Sequence, residues 1–276
     1  MLDITKIFTD FALSATGAKP SMDELGVSSS GHLMNGIMMM PAGDGPNPTV
    51  VLLHGYPGNE RNLFLAEALR MIGCNVLFFH YRGAWGSPGK FSLSNVLEDA
   101  AAAIDFVKSD DIAAPYKVDK ERIFLVGQSM GGFAALLTAA DRADLKGTVA
   151  LAPFDFASSY EHAKSSPVAF AQFSAVTGTP SPQLDYVSPV VLLDELAEKS
   201  ARWVFPAQAE KLAGKNLCVV SFKQDDVSVP AMHFDPLVAA CKGDNFTFIK
   251  MDGDHSYCGQ KMAVSRTVCE WICKMA

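Results

Sequence analysis

Apolar residues in this chain are grouped into short continuous runs of strand length. Five runs stand out, at residues 49–53, 75–79, 147–151, 217–222 and 246–250. A continuous apolar run of four to eight residues is typical of a strand whose two faces are both buried. The pattern therefore predicts a sheet that is covered by other elements on both sides.

Stretches with helical spacing of apolar residues separate these runs, at about residues 60–71, 92–109, 130–143 and 257–274. Strands that alternate with helices indicate a mostly parallel sheet with helices on both faces, which is an α/β fold. Before residue 47, the Asn35-Gly36 pair between two short apolar runs predicts the turn of an early hairpin.

Residues 156–214 interrupt the alternation of strands and helices. The segment is rich in aromatic residues and proline, and Tyr160, Phe170 and Phe173 are its candidate substrate contacts. A connection of that length needs its own structure, and we predict a helical lid over the site. An additional helical layer of the core is the alternative. The predicted domains are a core of residues 1–155 and 215–276 with a lid at 156–214.

Composition excludes several classes of partner. The chain has 276 residues and a formal charge of −7, and no cluster of basic residues stands out. Nucleic acid and anionic membrane surfaces are therefore not expected as partners. The chain lacks an apolar window near 18 residues, and its first residues do not resemble a signal peptide, so a cytoplasmic location is expected. The six scattered cysteines include no C-x-x-C pair, and no metal site is predicted.

The sequence Gly-Gln-Ser-Met-Gly at residues 127–131 carries the strongest chemical signal. It follows the apolar run 122–126 and precedes a run rich in Ala and Leu. This order predicts a strand, a sharp turn and a helix, which is the setting of a nucleophile elbow. Two glycines are needed because a Cβ would collide within so tight a turn. Ser129 is therefore the candidate nucleophile, next to a helix N-terminus that favours negative charge.

A serine hydroxyl needs a base, and the base needs a carboxylate that fixes its tautomer. Of the three histidines after Ser129, His255 follows the last predicted strand and is the candidate base. His162 lies in the predicted lid, and His233 is interpreted as a surface or packing residue.

Two adjacent carboxylates follow the strand at 217–222, namely Asp225 and Asp226. We favour Asp226 as the residue that orients the histidine, because it begins a D-x-x-V-P sequence that leads into the next helix. Asp225 is the alternative. Asp254, which directly precedes His255, is interpreted as a loop residue that faces water.

Backbone N–H groups are expected to stabilise a developing oxyanion. Met130 would supply one from the start of the helix, and Tyr56 would supply the other from the loop after the first buried strand. The Tyr56 phenol is interpreted either as a third donor or as an aromatic wall of the pocket. His54 is interpreted as a structural histidine.

Together these residues resemble the α/β-hydrolase family. The resemblance rests on His-Gly-Tyr-Pro-Gly at 54–58, Gly-Gln-Ser-Met-Gly-Gly at 127–132, Asp226 with the Val-Pro pair at 229–230, and Gly-Asp-His at 253–255. The segment 81–89, which contains Arg82, resembles the branch with dienelactone-hydrolase-like and prolyl-oligopeptidase-like members. We interpret Arg82 as structural, bracing loops through a bidentate pair. The resemblance implies a sheet of about eight strands with strand 2 antiparallel, and hydrolysis through an acyl-enzyme.

The expected activity is hydrolysis of carboxylic esters of small, mainly apolar substrates by Ser129, His255 and Asp226. A thioesterase or a peptidase with the same triad is the nearest alternative, and a non-catalytic binding module on the same fold is the second class of function. No cofactor is predicted. The sequence does not fix the oligomeric state, and a homodimer is compatible with it.

Overall fold

An eight-stranded sheet organises the chain. The structure is a computed structural model that describes residues 2–10, 17–177, 181–188 and 190–276. The strands are β1 Ser21–Ser29, β2 His32–Met40, β3 Asn47–Leu53, β4 Asn75–Phe79, β5 Val118–Gln128, β6 Gly147–Leu151, β7 Leu217–Phe222 and β8 Phe246–Met251.

Their order in the sheet is β1-β2-β4-β3-β5-β6-β7-β8. Strand β2 pairs antiparallel with β1 and β4, whereas the strands from β4 to β8 are mutually parallel. The predicted mostly parallel sheet with an antiparallel strand 2 is therefore confirmed.

Helices cover both faces of the sheet. They are α1 Leu63–Met71, α2 Leu93–Lys108, α3 Asp110–Ala113, α4 Met130–Asp141, α5 Phe156–Ala163, α6 Pro167–Thr177, α7 Val191–Trp203, α8 Ala209–Leu212, α9 Pro230–His233, α10 Asp235–Ala240 and α11 Lys261–Met275, with 3-10 turns at Ile4–Phe8 and Phe205–Gln208. Two separate apolar cores result, one that includes residues of α2 and α4 and one that includes residues of α1 and α11. Within the described residues, no helix combines the length and apolar character that crossing a bilayer requires.

The early hairpin turns at a different place from the predicted one. Ser30 and Gly31, with φ of 44° and 79°, form the turn between β1 and β2. Asn35 and Gly36 instead lie inside β2, so the predicted turn there is wrong. Gly36 lies in a tightly packed position instead, since a Cβ there would lie 3.1 Å from the carbonyl oxygen of Phe78.

A buried ion pair fastens the loop after β4 to helix α2. Arg82 donates from Nε to Oδ1 of Asp99 at 2.5 Å and from its backbone N to Oδ2 at 2.8 Å. Its Nη2 also donates to the exposed Glu98 at 2.7 Å. Ser29 completes the set by donating to Oδ1 of Asp99. The Arg82–Asp99 pair therefore joins β1, the loop after β4 and helix α2.

The braced loop in turn holds the segment between β6 and β7. The backbone N of Trp85 donates to Gln183 O at 2.8 Å, and the backbone N of Asp185 donates to Gly83 O at 2.7 Å. Helices α5 to α8 form most of this segment, which extends over the predicted insertion 156–214.

We predict that Asp99→Asn lowers the free energy of unfolding by about 3 kcal/mol, because it leaves the buried Arg82 guanidinium with only the exposed Glu98 as an ionic partner. The matched Glu98→Gln variant should cost about 0.5 kcal/mol, since the Glu98 side chain is 58% exposed. Urea denaturation followed by circular dichroism measures both values. Equal losses in the two variants would contradict the structural role of the buried pair.

Candidate active site

Ser129 lies at the turn between β5 and α4, in the middle of the sheet. Its φ of 56° and ψ of −116° belong to a region that residues with a side chain rarely adopt. Such a conformation costs roughly 1–3 kcal/mol and persists only where the surroundings impose it. The predicted strand, sharp turn and helix are therefore present at this serine.

The two glycines of the elbow are required by contact. A Cβ on Gly127 would overlap the carbonyl oxygen of Gly131, and a Cβ on Gly131 would overlap the carbonyl oxygen of Leu53 at the end of β3. Both clashes involve backbone atoms, which cannot move aside as a flexible side chain could. The turn thus requires glycine at positions 127 and 131, two residues before and two residues after Ser129.

Backbone hydrogen bonds fix Ser129 from three directions. Its N donates to Leu151 O at 2.9 Å, and its O accepts from Phe133 N at 2.9 Å and from Phe154 N at 3.1 Å. The hydroxyl itself makes no hydrogen bond to any residue that the structure describes. Ser129 therefore presents an unpaired hydroxyl on a rigid backbone.

His255 is held by Asp225. Nδ1 of His255 lies 2.9 Å from Oδ2 and 3.1 Å from Oδ1 of this carboxylate. The Asp225 side chain is fully buried, whereas that of His255 is 17% exposed. Oδ1 of Asp225 also accepts from the backbone N of Val227 and of Ser228 at 2.9 and 2.7 Å. Because Nδ1–H donates to the carboxylate, Nε2 carries the lone pair, which is the tautomer of a general base.

The prediction that Asp226 orients the histidine is wrong in this structure, and the alternative, Asp225, occupies that position. The chain turns where β7 ends, with the backbone N of Asp225 donating to Phe222 O at 3.2 Å. Asp225 is directed inward by this turn and by the two N–H groups that it accepts. Asp226 is exposed at the rim of the cavity and makes no hydrogen bond within the described part of the chain.

Neighbouring residues anchor the loop that carries His255. The fully buried Tyr257 donates its hydroxyl to Oδ1 of Asn62 at 2.9 Å. Oδ1 of Asp254 accepts from the backbone N of Cys258 at 2.8 Å. Asp254 therefore closes the loop on itself, in agreement with its interpretation as a loop residue.

Gln128 is a member of the site that the sequence analysis passed over. Its Nε2 lies 3.3 Å from the carbonyl oxygen of His255, to which it donates, and 3.4 Å from Nε2 of the same histidine. This contact takes the place of a hydrogen bond between His255 and Ser129. Its only signal in the sequence is its position between Gly127 and Ser129.

His54 fixes the orientation of the peptide that joins Gly55 and Tyr56. Nδ1–H of His54 donates to Gly55 O at 2.8 Å. The carbonyl and the N–H of a trans peptide point in opposite directions, so the Tyr56 N–H is directed away from His54. Gly55 lies beside the nucleophile candidate, since a Cβ there would be 3.1 Å from Cβ of Ser129.

The two backbone N–H groups predicted for an oxyanion are both available. Neither Tyr56 N nor Met130 N donates to any residue in the described ranges. The Tyr56 phenol lines the cavity and its oxygen lies 2.7 Å from that of Tyr186. Burial raises the pKa of Tyr56, so this phenol stays neutral at ordinary pH.

His54 is a structural histidine. It is fully buried, and burial lowers its pKa to about 3. Its Nε2 lies 3.3 Å from Nδ1 of His80, whose pKa burial lowers to about 4. Since Nδ1 of His54 is already a donor, its Nε2 accepts from His80. Both rings are therefore uncharged above pH 5.

A cavity of about 690 Å³ opens at Ser129. Tyr56, Ser129 and His255 share its wall with apolar side chains. The larger apolar members are Phe154, Phe156, Phe173, Leu192, Val229 and Met232. Most of the apolar wall therefore comes from the end of β6, the segment that follows it and the loop after β7.

Of the three aromatic residues predicted to contact substrate, only Phe173 lines the cavity. Tyr160 and Phe170 do not. The Tyr160 ring packs 6.3 Å from the rings of both Phe170 and Phe173, and Phe170 is 39% exposed. These two residues therefore do not contribute to the cavity wall, and the prediction that they contact substrate is wrong in this structure.

The remaining histidines after Ser129 also reach the cavity. His162 is exposed, and His233 is buried with Nδ1 accepting from the backbone N of Asp155 at 3.0 Å. Neither of them hydrogen-bonds to a carboxylate within the described residues. The same residues contain no group of three or more His, Cys, Asp or Glu side chains suited to a metal ion.

Most of the chain, including the elements that carry the site, is similar to proteins of a known family. A sequence profile described as "Alpha/beta hydrolase family" matches residues 50–267. The Quorum-quenching protein AidA of Acinetobacter baumannii is 33% identical over 120 residues, which is 41% of this chain and 38% of that protein. Esterase EstD of Thermotoga maritima is 29% identical over 159 residues, which is 52% of this chain and 36% of that protein. The matches thus span little more than a third of these relatives.

Solved structures give a fuller match. Est1E from Butyrivibrio proteoclasticus, a structure that contains ferulic acid, superposes with a TM-score of 0.70 and 22% identity over 90% of this chain and 98% of that one. The 2,6-dihydroxy-pseudo-oxynicotine hydrolase superposes with a TM-score of 0.66 and 18% identity over 92% of this chain and 67% of that one. At these identities the likeness concerns the fold alone.

We predict that the burial of His54 makes the protein less stable in acid. Its pKa is about 3 in the folded chain and about 6.5 when unfolded, so protons bind the unfolded state preferentially as the pH falls below 6.5. Between pH 7 and pH 5, His54 alone should lower the free energy of unfolding by about 2 kcal/mol. Urea denaturation of the wild type and of His54→Asn at the two pH values measures this loss, which should be about 2 kcal/mol smaller in the variant. An equal loss in the variant and the wild type would contradict the buried, neutral state of His54.

Proposed function

The chain belongs to the alpha/beta hydrolase family, and we propose that it is a serine carboxylesterase that acts through an acyl-enzyme intermediate. The observation that carries the proposal is the strained Ser129 with its unpaired hydroxyl, which lines the same cavity as the histidine that Asp225 holds in the base tautomer. The stretch of the chain that aligns with Esterase EstD is consistent with ester chemistry, although it covers only part of that protein.

In the proposed first step, Oγ of Ser129 attacks the ester carbonyl while Nε2 of His255 takes the hydroxyl proton. The imidazole of His255 would first exchange its contact with Gln128 for one with Ser129. The side chains of His255 and Ser129 line the same cavity. Catalytic hydrogen bonds are often long before substrate binds and shorten in the reacting complex. Substrate entry would thus complete the alignment.

Asp225 stabilises the imidazolium that forms in this step. The carboxylate accepts Nδ1–H of His255 and lies out of water, where the attraction between the two charges is stronger than in solvent. His255 then returns the proton to the oxygen of the departing alcohol. Water activated by the same histidine attacks the acyl-enzyme and releases the acid.

The tetrahedral oxyanion would be stabilised by Tyr56 N–H and Met130 N–H. Met130 is the first residue of α4, so the partial positive charge of the helix N-terminus adds to its N–H. His54 fixes the Gly55–Tyr56 peptide before substrate arrives. Each such donor contributes roughly 3 kcal/mol to transition-state stabilisation.

The apolar cavity favours small, mainly apolar acyl or alcohol groups. Phe173 and Leu192 belong to the helical segment between β6 and β7, and we propose that this segment acts as a lid. The same machinery would also cleave thioesters, and graded oxygen and sulfur ester panels separate the two activities.

We predict that Ser129→Ala lowers hydrolysis of p-nitrophenyl acetate by roughly 10⁴-fold or more, because it removes the nucleophile. The same change should abolish labelling by a fluorophosphonate probe. Ser256→Ala, at an exposed serine next to His255, is the matched control and should keep both activities. Turnover in Ser129→Ala at the wild-type rate would contradict the proposal.

The two adjacent carboxylates give a second prediction. Asp225→Asn should lower kcat by roughly 10³- to 10⁴-fold, because the amide no longer holds the histidine in the base tautomer. Asp226→Asn should change kcat by less than about threefold, because the exposed Asp226 makes no contact with His255. Steady-state kinetics on one chromogenic ester measures both variants. A larger loss in Asp226→Asn would reassign the acid.

A further inference from the structure

The cavity wall includes a buried hydrogen-bond donor that the proposed reaction does not use, the ring of His233. This residue ends the short helix α9 and is 2% exposed, and it lines the same cavity as Ser129 and His255. His233 is therefore a packing residue, as interpreted from the sequence, and it also forms part of the cavity wall.

The tautomer of His233 is fixed by its neighbour. Nδ1 lies 3.0 Å from the backbone N of Asp155, which can only donate, so Nδ1 is the acceptor and the ring proton sits on Nε2. Asp155 cannot shift, because its carboxylate accepts from the backbone N of Phe205 at 2.9 Å and from Oγ of Ser158 at 2.7 Å. The ring of Phe154 packs on the imidazole with centroids 4.6 Å apart.

Nε2–H of His233 has no partner among the described residues, and it does not belong to the buried polar atoms that are sealed from solvent. Since Nδ1 faces Asp155, the open edge of the ring is the one toward the cavity. Burial lowers the pKa of His233 to about 4, so the donor is uncharged near neutral pH. It cannot serve as the general base, because its acceptor nitrogen is already used.

We propose that Nε2–H of His233 determines specificity by binding a second acceptor oxygen of the substrate, such as a keto, ether or hydroxyl oxygen in the group that fills the cavity. This inference rests on the proposed esterase activity and names its substrate class. A plain alkyl group in the cavity would leave the buried N–H without a partner, whereas an oxygen at that point would satisfy it. The nearby wall is apolar, with Phe154, Met232 and Val229, so the donor stands out from its surroundings.

Two pairs of esters test the proposal, because the oxygen can lie in either part of the substrate. Methyl 5-oxohexanoate against methyl hexanoate places it in the acid, and 4-oxopentyl acetate against pentyl acetate places it in the alcohol. Acid release in a pH-stat gives kcat/KM for each. The wild type should prefer the oxo ester in one pair by roughly five- to tenfold, which is the discrimination expected of one neutral hydrogen bond.

His233→Asn separates the donor from the structural contact. The Asn Oδ1 can occupy the position of Nδ1 and accept from Asp155 N, but no donor remains at the position of Nε2. The preference for the oxo ester should fall to near one in this variant. His32→Asn, on the hairpin of β1 and β2, is the matched control and should keep the wild-type preference.

Wild-type turnover with no preference in either pair would overturn the proposal, as would a preference that survives in folded His233→Asn. If the wild type cleaves none of the four esters and is not labelled by a fluorophosphonate, the esterase proposal itself fails. Should His233→Asn not fold, ¹⁵N spectra of wild-type protein labelled at histidine replace it. The His233 Nε2 resonance should then shift on addition of 5-oxohexanoate and remain unchanged with hexanoate, and equal shifts would count against the proposal.

Discussion

The architecture of the site depends on one steric constraint, the passage of the chain through Ser129 between the end of β5 and the start of α4. The backbone there adopts a φ of 56°, and no side chain fits on Gly127 or Gly131 without overlapping a carbonyl oxygen. The strain is offset by the sheet itself, since the carbonyl and N–H of Ser129 are bound by backbone groups of β6, α4 and the loop after β6. The serine is thus fixed before any substrate arrives.

A series of fixed tautomers surrounds this rigid point. His54 donates to Gly55 and accepts from His80, so the peptide that presents Tyr56 N–H is held by neutral rings. Asp225 fixes His255 in the same tautomer as His54, with its lone pair on Nε2. Burial keeps the rings of His54 and His80 uncharged, whereas His255 donates to the carboxylate of Asp225. Positioning groups and reacting groups thus differ in their hydrogen-bond partners.

The elements buried on both faces were predictable because each is a continuous apolar run. The bounds of β4, β6 and β7 agree with the runs at 75–79, 147–151 and 217–222. The hairpin failed because Asn35-Gly36, a common turn pair, serves a close contact inside β2 instead. Local composition cannot distinguish a glycine needed for a turn from one needed for close packing.

The same limit applies to the site. Ser129 and His255 are marked by their sequence context, and the structure brings both to one cavity. The choice between Asp225 and Asp226 depends on how the chain turns after β7, and neighbouring residues in such a turn face opposite sides. The roles of Gln128 and His233 depend on partners far away in sequence, namely His255 and Asp155, so the residues around them do not predict these roles.

The most direct measurement is the crystal structure of the protein after reaction with a phosphonate ester. The account predicts a covalent bond from Oγ of Ser129 to phosphorus and a phosphoryl oxygen within hydrogen-bond distance of both Tyr56 N and Met130 N, with Nε2 of His255 turned from Gln128 toward the adduct. A phosphoryl oxygen that meets neither N–H, or an adduct on another residue, would contradict it.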